Sequence, residues 1–313
     1  TTANLAIGNT VTATTGNLTL VAATGIATTA AGSLEAEETA TLTAGGDITL
    51  LAEVEGAAVT MTAGGSVAVE EVTAEEGDVM ITAGTTFANT DIVSATLGDV
   101  SITADTSITT GANVTAGQDV ILTGGTVDTS GDLVQGGNDV SINGTTVTLN
   151  TVTATAAANV SGSGAVTLNG AVSGGTVNIE STGATVAVNN TVTSTVGGAM
   201  LEAADGIAIG AVNVQSAGLL TIMGNTDADA TGDVTAAAGS ALTGATGVAI
   251  GGTAVSVAAV TATAGDVVID AASTFANSGL VQALDDVTIS ADTSITTGAN
   301  VTALDVAPTS GAI

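Results

Sequence analysis

Four aspartates recur at a near-constant interval. Asp78, Asp99, Asp119 and Asp139 stand in GDVMI (77–81), GDVSI (98–102), QDVIL (118–122) and NDVSI (138–142), spaced by 21, 20 and 20 residues. Carboxylate oxygens are ligands for hard cations, so a stack of them is a candidate weak Ca2+ site. A second acidic set lies upstream. Glu35, Glu53 and Glu71 are 18 apart, as are Glu37 and Glu55, with Glu38, Glu70, Glu75 and Glu76 close by. An 18-residue coil would gather them on one outer face, a second candidate Ca2+ site or a surface for a cationic partner. Both sets also have a reading without any ligand. Gly-Asp and Asn-Asp punctuate turns, and an outward row of Glu keeps a strand-rich surface soluble and resists sideways aggregation. Neither the EF-hand spacing nor the Gly-rich calcium-binding nonapeptide occurs.

The rest of the composition removes most other chemistry. The chain has 313 residues with 30 Asp and Glu, no Lys, Arg or His, and a net charge of -30. No salt bridge between its side chains can form. Nucleic acid is excluded as a partner, because phosphate binding needs Lys or Arg. An anionic membrane surface repels the chain. Cys, Trp and Tyr are absent too. Only carboxylates and hydroxyls remain for catalysis. A sugar cleft would add aromatic platforms, and cleavage of a polyanion would need bases, so no enzyme is expected. No Gly-Lys-Ser/Thr loop exists to cradle a nucleotide, and no cofactor other than Ca2+ is implied. Residues 234–265 carry no charge, but Gly, Thr and Ser interrupt them and no basic or aromatic flank follows, so no membrane insertion is expected. The chain opens at Thr1 without a basic and apolar leader and reads as a processed chain or a fragment.

The elements that must position these acids are strands. In each Asp motif alternate residues, such as Val100 and Ile102, point one way, while Ser101 and Thr103 point the other. Val, Ile and Thr are β-branched and favour strands, and no 3.6-residue period persists. The only aromatics are Phe87 and Phe275, so the core has to be thin and built of Val, Ile, Ala and Leu. A strand returning about every 20 residues, with turn residues between, describes one coil of an all-β, single-stranded parallel β-helix of about 15 coils. Thr-x-Thr strings at 41–43 and 60–62 suggest a flat hydroxyl face, but their spacing is too irregular for a long array.

Residues 104–116, ADTSITTGANVTA, return unchanged at 291–303. They belong to a longer duplicated block in which 72–116 resembles 260–303, each copy with its one Phe. Coils of one shape are interchangeable, so the reading is one continuous β-solenoid over 1–313, with 304–313 a tail or a donated strand. The stretch GDVSITADTSITTGANVTAGQDVILTGGTV (98–127) resembles the repeats of filamentous-haemagglutinin-type secreted adhesins. That resemblance implies a right-handed β-helix exported by Gram-negative bacteria as an extracellular fibre. Neither TTANLAIGNTVTATTG at the start nor DVAPTSGAI at the end looks like a capping helix. The expectation is a structural subunit of an extracellular, self-assembling filament. Copies would stack head to tail by strand pairing, with divalent cations relieving their repulsion. The alternative is the shaft of a larger secreted adhesin that mediates attachment.

Overall fold

A computed structural model describes residues 2–227 and 231–304. The expected tail, 304–313, lies outside the described residues except for Leu304. Among the described residues all regular structure is strand, and every pairing described here is parallel. The chain is a β-solenoid of about 15 coils whose strands return roughly every 20 residues. It divides into two compact units, residues 1–156 and 157–313.

In the first unit a typical coil has three short strands, such as Val79–Ala83, Thr86–Asn89 and Val93–Ala95. The next coil places Val100–Thr110 and Val114–Ala116 over them. Like stacks on like. Val79, Val100, Val120 and Val140 form one inward column, and Ile81, Ile102, Leu122 and Ile142 form the column beside it. Burial alternates along strands such as Val79–Ala83, as a strand with one core face requires. The cross-section holds few large side chains, and Phe87 fills its place between Val67 below and Ile108 above. Sharp corners are made where backbone meets backbone. A Cβ on Gly45 would lie 2.1 Å from the Ala23 carbonyl oxygen. On Gly64 it would lie 2.3 Å from that of Gly45, and on Gly84 2.3 Å from that of Gly64. Only glycine fits this corner in three successive coils.

The second unit repeats the plan. Strands Ala157–Gly162, Thr176–Ser181, Ala199–Ala203, Leu219–Met223, Gly247–Val257, Val267–Asn277 and Val287–Ala291 pair in succession. They carry an inward column that runs Val160, Ile179, Leu201, Ile222, Ile250, Ile269 and Ile289. Phe275 sits between Val255 and Ile295, as Phe87 does between Val67 and Ile108. The duplicated block thus builds the same local structure twice. Asn89 and Asn277 are both buried, and each amide bridges two backbone carbonyls. Asn89 donates to Asp91 O (2.7 Å) and Ala112 O (3.2 Å), and Asn277 to Gly279 O (2.7 Å) and Ala299 O (3.3 Å).

Candidate functional site: two acidic ladders

The aspartate column is hydrogen-bonded along its length. Asp99 N–H donates to Asp78 Oδ1 at 2.9 Å, Asp119 N–H to Asp99 Oδ1 at 3.0 Å, and Asp139 N–H to Asp119 Oδ1 at 2.9 Å. Asn138 Nδ2 adds a further bond to Asp119 Oδ1 at 2.9 Å. Each aspartate sits at the turn just before a strand, where the next coil's N–H has no ladder partner. The carboxylate supplies one, and a charged acceptor makes that bond stronger than a neutral one. The second unit repeats the device, with Asp286 N–H on Asp266 Oδ1 at 3.0 Å. The sequence signal for it was present in GDV (265–267) and DDV (285–287).

The glutamates form two columns, divided differently from the 18-residue expectation. Leu34 pairs with Val54, and Val54 with Val72, so that coil lengths of 20 and 18 follow each other. Glu35 therefore lies beside Glu55, while Glu53 lies beside Glu71 in the neighbouring column. Glu37, Glu75 and Glu76 join Glu35 and Glu55 around a groove of about 350 Å³. Glu35 is held by Thr12, whose hydroxyl donates to Oε2 at 3.1 Å.

Burial and crowding without bases push the carboxyl groups of the half-buried members above their ordinary range. Burial first, then the charge of Glu53, then a hydrogen bond and charge from Glu75 and the charge of Glu35, raise Glu55 above the usual 4.5. Burial first, then Glu53, Asp91 and Glu70, raise Glu71 in the same direction. Among the described residues no three carboxylates converge as a metal-binding group. A cation on this face would meet few carboxylates at once and complete its shell with water.

The threonine strings are more regular than their sequence spacing suggests. Thr43, Thr62, Thr82, Thr103 and Thr123 stack in one outward column, because corner residues absorb the differences in coil length. Thr41 and Thr60 stack beside them, but Met80 and Ile121 interrupt that second row. No protein-family model, curated protein or solved structure matches this chain.

Proposed function

We propose that the chain is a structural subunit of an extracellular fibre whose copies add head to tail by parallel strand pairing. One observation carries this reading. The thirteen repeated residues occur once inside the first unit and once in the last described coil, and their burial differs. Ile108 and Val114 are both 0% exposed, whereas Ile295 and Val301 are 47% and 39% exposed. Among the described residues, strands Val287–Ala291, Ser294–Thr297 and Val301–Ala303 each have a partner on one side only. Such an edge presents apolar side chains and free N–H and C=O groups, a template for another coil.

At the other edge, among the described residues, Thr2–Ile7 and Val11–Ala13 pair only with Leu18–Thr28 and Leu34–Ala36. The two edges match in sequence. Gly298-Ala-Asn-Val-Thr-Ala303 corresponds to Gly8-Asn-Thr-Val-Thr-Ala13, so Val11 of one copy would stack on Val301 of the next as Val72, Val93 and Val114 stack within the first unit. A heterologous contact of this kind propagates as a filament unless it closes. The same open edge also serves the alternative, the shaft of a larger secreted adhesin, where further coils of one chain cover it.

The chain has no cysteine, so paired Thr12→Cys and Thr302→Cys substitutions report one contact. Electron microscopy of the purified protein, followed by oxidation of the double variant, tests the reading. Filaments whose subunits become covalently linked support it. Separate particles at every concentration, with no cross-linked ladder, overturn the self-assembling subunit and leave the shaft.

A further inference from the structure

In the first unit one inward column turns polar for three consecutive coils. Asn89 pairs with Thr110 in register, and Thr109 pairs with Asp128, which sets Thr129 over Thr110. Val69 lies below Asn89 and Leu149 above Thr129, so the polar stretch is closed at both ends by apolar side chains. Asn89, Thr110 and Thr129 are 2%, 4% and 0% exposed. Asn89 Oδ1, Thr110 Oγ1 and Thr129 Oγ1 have no hydrogen-bond partner. Three stacked unsatisfied oxygens in an otherwise apolar core are costly unless something meets them. In the second unit Ser181, Ser194 and Ser216 are buried too, but they donate to carbonyls, on Gly164, Gly197 and Leu219. Ser240 Oγ and Asn277 Oδ1 lack partners there, as single groups and not as a stacked file with a buried carboxylate oxygen in the same corner.

A fourth such oxygen belongs to a carboxylate. The corner after Thr129 is enlarged: Thr129 pairs with Leu149 and Leu133 with Thr151, leaving 130–132 as extra residues against Asn150. Leu133 N–H donates to Asn113 Oδ1 at 3.1 Å, which fixes this bulge over the corner of the coil beneath. Asp132 sits in it with Oδ2 buried and without a partner. Burial alone raises its carboxyl above the usual 3.8. In most proteins a Lys or Arg would neutralise such a group. This chain has neither.

We propose that this corner is a binding site for a hard cation of the Ca2+ class, with Asp132 Oδ2 as its charged ligand and the Thr129 and Thr110 hydroxyl oxygens as neutral ones. Oxygen-only donors suit such an ion, and water fills the positions the protein leaves. Asn89 Oδ1, a further coil away, ends the polar file through water. The site is separate from both acidic ladders and does not depend on the fibre reading.

Calcium is the probe, and thermal unfolding followed by far-UV circular dichroism is the readout. High NaCl throughout screens the diffuse acidic surface. Asp105→Asn removes one exposed charge from the same unit and serves as control. The wild type and the control should gain the same rise in Tm from calcium. Asp132→Asn should lose roughly half of that rise or more. Thr129→Val has the same shape without the hydroxyl, so it should weaken apparent calcium affinity while leaving the calcium-free fold intact or more stable. An Asp132→Asn protein that responds like the control overturns the site. So does a Thr129→Val protein with unchanged calcium affinity, since the ion would then sit on the surface carboxylate and not at the buried column.

Discussion

The thirteen-residue repeat supplies an experiment with its own control. Ile108→Ala and Ile295→Ala change the same residue in the same local sequence. At 108 the side chain is fully buried under coils on both sides. Removing the three carbons beyond Cβ forfeits about 2.4 kcal/mol of transfer free energy. The cavity left between two fixed coils adds to this, for about 3–4 kcal/mol in all. At 295 nearly half of the side chain already faces solvent. Half the transfer free energy and no enclosed cavity give about 1 kcal/mol. Equilibrium urea unfolding of dilute, monomeric protein is the assay. Circular dichroism is the probe, because the chain has no Trp or Tyr. The expected gap between the variants is about 2–3 kcal/mol, well outside the error of paired unfolding curves. A monomer in which Ile295→Ala costs as much as Ile108→Ala would refute the open edge, and with it the main support for end-to-end assembly. If copies add end to end as proposed, the two costs should converge on assembly, since Ile295 would then lie under another coil.

Acid should stabilise this protein where it destabilises most. Glu55, Glu71 and Asp132 are all raised, so the folded state holds protons that the unfolded chain releases. Their contribution is fullest below the ordinary values of 4.5 and 3.8 and is lost as pH rises through the raised ones. Thermal unfolding should therefore occur at higher temperature near about pH 5 than at pH 7, with a smaller gain in Glu55→Gln; a lower Tm on acidification contradicts this. Asp99→Ala should cost about 1 kcal/mol by removing the acceptor for Asp119 N–H, while Asp99→Asn, which keeps an Oδ1, should cost clearly less. Equal losses in the two variants, measured by urea unfolding, would show that the charge and not the bond matters.

Much of the fold was legible because the code is repetitive. A buried residue and its neighbours one coil away are the same kind of residue, so Val79, Val100, Val120 and Val140 announce one column through four similar motifs. The aspartates were found for the same reason, and their turn reading matches the hydrogen bonds they make. The glutamate register was less legible, because coil length changes from 20 to 18 between Leu34 and Val72. Equal sequence spacing then no longer means the same column. Asp132 carried no signal. Its buried Oδ2 depends on a corner lengthened within TSGDLV (129–134), which does not show in a period.

A chain without bases has few ways to accommodate a carboxylate, and this one uses them in separate places. Along the aspartate column the charge is spent on the next coil's N–H, so the acid contributes to the stack. On the glutamate face acids are held against acids, and the half-buried ones respond by holding protons more readily. At Asp132 neither a free N–H nor a neighbouring acid explains the buried oxygen, and the three oxygens in the adjacent column are equally unmet. On the proposal above, a dissolved cation would supply the counter-charge at Asp132 without a base and meet the two threonine oxygens, with water completing the file at Asn89. The distinction has a consequence for assembly. If cations acted only by screening, any salt of equal ionic strength would serve, whereas a built oxygen site would make calcium act beyond its ionic strength. If the proposed end-to-end assembly occurs, its rate compared in calcium and in sodium at matched ionic strength separates these cases, and repeating it with Asp132→Asn shows whether the corner or the acidic face is responsible.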